Sequence, residues 1–262
     1  MDLSFDAFTA VQWAAILVIA LIAGLMQGFV GIGFPLLGTP LMALVVGFKP
    51  TVIMLVLPTL VMIFCTLFVF RQSLSLQALK RFWPLLIMTP IGTWLGVAAL
   101  QGFPARWLMV IMVAMLCAFL LLDWLGHTES EFPRRHPLLL AFPFGLMAGF
   151  CEGAINVAGP VLLIYFLLLD MPVSVIIAVL NVLFLLGKTW QSTLMAQQGM
   201  FTPDVLQAAA PLAVLGVVGY FTGLNLRKRF DPARYRGWLK ATIGLAALTM
   251  SGQVLLDLFR NG

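Results

Sequence analysis

GLMQGFVGIGFPLLGTP, residues 24–40, places five glycines and two prolines in a run without a charged residue. Glycine and proline are the poorest helix formers, yet the flanking sequence has the apolar continuity of membrane-spanning helix. A near-copy, GLMAGFCEGAINVAGP, occupies residues 145–160. The interruption therefore occurs twice, and the reading of this pair decides the fold.

Of the 262 residues, 62% are hydrophobic and 10% charged, with a mean hydropathy of +1.06, which excludes an ordinary soluble domain. Apolar runs of about 20 residues cross a bilayer as helix, and a closed barrel would need an alternation of polar and apolar positions that is absent. The composition predicts an all-α polytopic membrane protein. The net charge of +5 reflects Lys and Arg gathered in short loops; there is no aromatic-interleaved basic tract, so nucleic acid is not an expected partner. Cys65, Cys117 and Cys151 lie scattered in apolar segments and read as small packing residues, and no residue set suggests a metal or a cofactor. Asp2 and Asp6 stand where a signal peptide would carry basic residues, so the first apolar run is expected to be retained.

Apolar runs between polar or Gly/Pro punctuation give ten segments: 11–30, 34–47, 51–70, 83–101, 106–125, 138–151, 156–169, 173–196, 206–226 and 237–259. The second, sixth and seventh are too short to cross a bilayer of about 30 Å alone, so they read as half-spans or parts of interrupted helices, for eight to ten crossings in all.

The two halves match in order. GLMQGF pairs with GLMAGF, Pro50 with Pro172, PLLIMTPIGTWLG (84–96) with PLAVLGVVGYFTG (211–223), and FPARW (103–107) with FDPARY (230–235). Equivalent loops differ in charge. Residues 71–81 hold Arg71, Lys80 and Arg81 while 190–204 hold no basic residue; 102–106 hold only Arg106 while 227–240 hold Arg227, Lys228, Arg229, Arg234, Arg236 and Lys240. The positive-inside rule then puts equivalent loops on opposite sides of the membrane. The expected organisation is two inverted repeats of about five segments each, 1–126 and 137–262, joined by a cytoplasmic linker at 127–136 that carries Arg134 and Arg135, with both termini periplasmic.

Two charged residues lie well inside apolar segments, Glu152 and Lys188. A charge at mid-membrane costs about 2.5–3.5 kcal/mol even on insertion scales, so each needs a partner, a cavity or a neutral form. Lys188 either snorkels to the interface or offers an anion its charge and three donors, and Thr189, Gln191 and Ser192 beside it suit a wet cavity. Glu152 reads as a structural carboxylate at a broken helix or as a substrate-binding or proton-coupling group; Gly31 stands at its place in the first copy. Asn156, Asn181 and Thr59, the last read as the repeat partner of Asn181, either bond between helices or contact ligand. The pairs Gly92/Gly96 and Gly219/Gly223 read as close helix packing, and Pro84 and Pro90 as kinks. The two histidines, His127 and His136, both fall in the linker, and neither a catalytic motif nor a phosphate-binding loop is present, so the chain is not expected to be an enzyme.

The paired Gly/Pro motifs, each followed by a further proline, together with the late LFLLGKTWQ and QGMFTPDVL stretches, resemble the TauE/SafE family of sulfite and organosulfur-anion transporters over nearly the whole chain. The resemblance implies a secondary carrier for a small anion such as sulfite, a sulfonate or thiosulfate in the bacterial inner membrane. Carried over by position, it implies that Gly28, Gly31, Gly33, Pro35, Gly149, Gly153, Gly159 and Pro160, with Lys188, line or shape the route. Glu152 and Asn156 depart from the family pattern, where small residues are usual. The mechanism expected is alternating access about a midplane site, with helix N-termini and Lys188 attracting the anion and Glu152 coupling to protons. A passive anion channel is the alternative, followed by an intramembrane enzyme or scaffold.

Overall fold

Two helical hairpins, one from each half of the chain, meet at their tips inside a bundle of longer helices. The computed structural model describes residues 8–31, 33–73, 76–124, 136–167, 169 and 173–229, and beyond these 237–238, 241, 244–245, 247–252 and 254. The elements are α1 (Ala10–Val30), α2 (Phe34–Val46), α3 (Phe48–Phe70), α4 (Leu76–Arg81), α5 (Trp83–Gly102), α6 (Ala105–Trp124), α7 (Pro137–Ile155), α8 (Gly159–Leu167), α9 (Val173–Gln197) and α10 (Pro203–Arg227). Residues described between 237 and 254 are helical as well, and no strand occurs among the described residues. Six helices are long and apolar enough to cross a membrane. The protein is an all-α polytopic membrane protein. Of the linker expected at 127–136, only His136 lies within the described residues, and Arg234, Arg236 and Lys240 lie outside them.

One segment differs from expectation. The sixth is a 19-residue helix, Pro137–Ile155, rather than a half-span ending at 151. Its glycines do not interrupt it because they face another helix. The loop expected at 71–81 carries a 3-10 turn, Arg71–Ser73, and the short α4. Pro84 does not kink α5: it sits in the first turn, where proline's missing N–H has no partner to lose, whereas Pro90 lies within the helix.

The first hairpin is α1 with α2. Thr9 caps α1 in a reciprocal box with Gln12, and Gln12 Nε2 also donates to the Val45 carbonyl at 3.1 Å, so α2 returns to the end where α1 began. The second hairpin is α7 with α8, closed by Tyr165, whose hydroxyl donates to the Pro137 carbonyl at 3.0 Å. The hairpins open at opposite ends of the bundle. At the first end, where α3 begins and α5 and α9 finish, Lys49 Nζ donates to the Gln101 carbonyl at 3.2 Å and the Gln101 amide donates to Gln198. At the second, Arg227 lies 5.1 Å from the Phe70 ring and Phe82 packs edge-on against Tyr165 at 6.0 Å. Arg71, Lys80, Arg81, Arg227, Lys228 and Arg229 gather at this second end.

The glycines close two helix seams. A Cβ on Gly24 or Gly28 would stand 2.1 or 1.9 Å from the carbonyl oxygen of Gly216 or Tyr220, and one on Gly219 or Gly223 would meet the Leu21 or Leu25 carbonyl. The contacts advance together along both chains, so α1 and α10 run parallel, backbone against backbone. The same seam joins α5 to α7: Gly92 and Gly96 meet the Leu146 and Phe150 carbonyls, and Gly149 and Gly153 meet those of Thr89 and Thr93. Lipid supplies no hydrophobic drive between helices, so such close approach is what holds them. Each glycine-rich helix is thus paired with the GxxxG helix of the other half of the sequence.

Candidate functional site

Both hairpins turn on a left-handed residue. Gly31 ends α1 at φ 87° and Asn156 ends α7 at φ 64°; Asn156 is the one non-glycine residue with positive φ among those described. Asparagine is among the few side chains that enter this region readily. From Gly24 α1 runs to Val30, whereas from the matching Gly145 α7 runs one helical turn further, to Ile155. Aligned on their caps, the breaks therefore pair Gly31 with Asn156, not with Glu152, and Glu152 falls opposite Gln27. Carried into the following long helices, the same spacing sets Thr59 opposite Phe184 rather than Asn181, Ile63 opposite Lys188 and Thr66 opposite Gln191.

The second break holds the charge. Lys188, on α9, is fully buried, and its Nζ lies 2.6 Å from Glu152 Oε1 and 2.8 Å from Gln191 Oε1 and donates also to Asn156 Oδ1. All three ammonium donors are thereby used. Gln191, one turn along α9, donates from Nε2 to the Glu152 and Gly153 carbonyls at 3.1 and 3.2 Å, covering the orphan acceptors of α7. A cation beside a helix C-terminus is favourable by itself, so Lys188 neutralises Glu152 and its charge also complements the end of α7. Separating such a buried pair by deleting one partner costs about 3–5 kcal/mol.

The first break is built the same way without charge. Gln27 Nε2 donates to the Gly31 carbonyl and to Thr66 Oγ1, each at 3.1 Å, while its Oε1 accepts the Phe34 N–H at 3.0 Å. One neutral side chain thus joins the end of α1, the start of α2 and the middle of α3. From α9, Asn181 Nδ2 adds a bond to the Gly31 carbonyl at 3.3 Å and one to Ile177 O at 2.8 Å.

A cleft lies between the two tips. The first hairpin contributes Gln27, Gly33, Pro35 and Leu36, and the second Glu152, Val157, Ala158 and Gly159. Thr59, Met62 and Ile63 of α3 and Phe184 of α9 complete the wall. The N-termini of α2 and α8 both open onto it, the end of a helix that favours an anion. Three buried polar atoms here have no partner in the protein: Thr59 Oγ1, Asn156 Nδ2 and Asn181 Oδ1. Thr59 lines the cleft, and its buried hydroxyl has no partner in the protein. Lys188 is not on the wall, whereas its ion-pair partner Glu152 is.

Of the residues singled out in the sequence, Glu152, Asn156, Lys188 and Gln191 form one cluster, and Gly33, Pro35, Thr59 and Gly159 line the cleft beside it. Gly31 is the cap of α1 and Asn181 its tie to α9. Pro160 stands in the first turn of α8. Gly28, Gly149 and Gly153 lie in the helix seams. Gln27 was not singled out: a lone amide in an apolar run has no motif around it, and the match of GLMQGF to GLMAGF pairs it with Ala148. Its signal was the cost of an amide in hydrocarbon, a weaker form of the argument that singles out Glu152 and Lys188.

No curated protein and no solved structure matches the chain. Residues 16–250, most of the chain, match the family described as Sulfite exporter TauE/SafE, and with that span the chain belongs to this family of membrane transporters.

Proposed function

We propose that the protein is a secondary carrier for a small oxyanion of sulfur (sulfite, a sulfonate or thiosulfate), that the anion binds in the cleft between the hairpin tips, and that each anion travels with a proton held by Glu152. The observation that carries this is the buried Glu152–Lys188 pair at the edge of the cleft. As an ion pair the cluster is neutral and Lys188 has no donor left for a ligand. Protonation of Glu152 removes the internal counter-ion, the cluster becomes a monocation, and an anion takes the carboxylate's place. The helix N-termini of α2 and α8 add about 0.3–2 kcal/mol each to anion binding. Thr59 and Asn156 supply donors that the protein itself does not use.

Hairpins opening toward opposite ends, with cations concentrated at one of them, support the inverted-repeat organisation and alternating access about the tips. The cation-rich end then faces the cytoplasm of the inner membrane and both termini the periplasm.

Counterflow in proteoliposomes tests the class. Vesicles loaded with unlabelled sulfite are expected to accumulate labelled sulfite above its external concentration, faster at pH 6 than at pH 8. Equilibration without overshoot would make the protein a channel, and overshoot with carboxylates but not with sulfur oxyanions would overturn the substrate class.

A further inference from the structure

We infer that Thr89 on α5 is the second seat of the Glu152 side chain, which holds the protonated carboxyl away from Lys188 while the anion is bound. This deepens the reading of Glu152 as the proton carrier and rests on it.

The place is a bare patch on α9. A Cβ built on Gly187 would lie 3.2 Å from Glu152 Cγ, 3.3 Å from Thr89 Cγ2 and 3.5 Å from Thr93 Oγ1, so these three side chains converge on the space that the missing methyl leaves. A methyl there would press on the Glu152 and Thr89 side chains by a few tenths of an ångström, so glycine leaves this space open. Thr93 is committed, its hydroxyl donating to the Thr89 carbonyl at 2.9 Å. Thr89 is not: its hydroxyl is buried, the residue is 2% exposed, and Oγ1 has no partner in the protein. An unsatisfied buried hydroxyl is costly, and a group that spends part of the cycle elsewhere explains why one persists.

The chemistry of the two seats differs as the coupling requires. On Lys188 the carboxyl meets a cation. Across Gly187, α5 turns the Thr89 methyl and the Thr93 hydroxyl toward Glu152, and rotation about the Thr89 Cα–Cβ bond brings its hydroxyl to the methyl's place; α5 holds no titratable residue, and among the described residues Lys188 and the buried Cys151 are the charged or titratable groups beside Glu152. A hydroxyl accepts the O–H of a neutral carboxyl and returns its own hydrogen to the carbonyl oxygen. The proton enters from water onto Glu152, the carboxyl crosses to Thr89, and Lys188 is left with one positive charge for the anion. Reversal returns the proton and expels the anion.

Thr89→Val keeps the shape and removes the hydroxyl, and Thr89→Ser restores it. Purified protein is titrated with ethanesulfonate, which stays ionised throughout, between pH 5 and 9. In the wild type, binding is expected to strengthen as pH falls through a midpoint. Because Val disfavours the protonated seat, Thr89→Val should move that midpoint about 0.5–1 unit toward acid. Binding at pH 5 should be nearly unchanged, and Ser should restore the midpoint. A Val midpoint equal to the wild type's, or a Ser variant that behaves like Val, overturns the second seat and leaves the proton reading intact. Wild-type binding without pH dependence overturns both.

Discussion

Lys188→Met in a Glu152→Gln background is expected to give a folded, membrane-inserted protein that moves sulfite about 100-fold or more slowly than the wild type. The double change is the informative one. Lys188 is fully buried and its ammonium is shared among Glu152, Asn156 and Gln191, so Lys188→Ala alone strands a buried carboxylate. That single variant loses about 3–5 kcal/mol and confuses lost binding with lost structure. Replacing a buried pair by neutral groups of similar volume is often neutral for stability, so the double variant isolates the charge. Sulfite flux in proteoliposomes, set beside thermal unfolding in detergent, checks it. A double variant that transports at the wild-type rate would remove Lys188 from the anion site.

The second large effect is on folding. Gly28→Ala or Gly149→Ala is expected to cost about 3 kcal/mol or more, because each added methyl meets backbone rather than a movable side chain. At Gly28 it falls 1.9 Å from the Tyr220 carbonyl oxygen and at Gly149 2.1 Å from that of Thr89, and relief requires the parallel helices to separate. Gly102→Ala is the control, with nothing within 4 Å of the new carbon. Thermal unfolding of the three proteins in one detergent should place both seam variants well below Gly102→Ala. Equal melting temperatures would contradict the backbone contact on which the bundle's closure is argued.

Helix positions were legible because apolar continuity is strong in a membrane protein: the ends of α1, α3, α5 and α10 fall within three residues of the segments read from sequence. What was hidden is the work of individual glycines. The same residue type forms a hairpin cap at Gly31 and a seam at Gly28, three positions apart, and composition treats both as helix breakers. That is why α7 was cut short at 151: Gly149 and Gly153 lie in a seam, and the true break is an asparagine. One extra turn in α7 then slid the repeat out of register, pairing Glu152 with Gly31 and hiding its correspondence to Gln27. Lys188 and Glu152 stood out because charge in hydrocarbon needs a reason. That they are each other's partner could not be read, since they sit on different helices far apart in the chain.

Gln27 also gives the asymmetry between the two breaks a physical meaning. Its bonds involve no charge and no group that titrates near neutral pH, so the first tip stays bonded across the working range. The second tip is tied to α9 by an ion pair, which on the proposed mechanism a proton and an anion undo. On the proposed mechanism, of two similarly built breaks the one with the charged tie is the one that responds to the transported species.

The central claim is that anion and proton move together through Glu152. The direct test is proton movement in proteoliposomes carrying an internal pH dye, driven by a gradient of ethanesulfonate, which carries no titrating proton of its own. The wild type is expected to move protons in the direction of the anion, one for each, while Glu152→Gln moves the anion and leaves internal pH unchanged. Ethanesulfonate-driven proton movement that persists undiminished in Glu152→Gln would contradict the account.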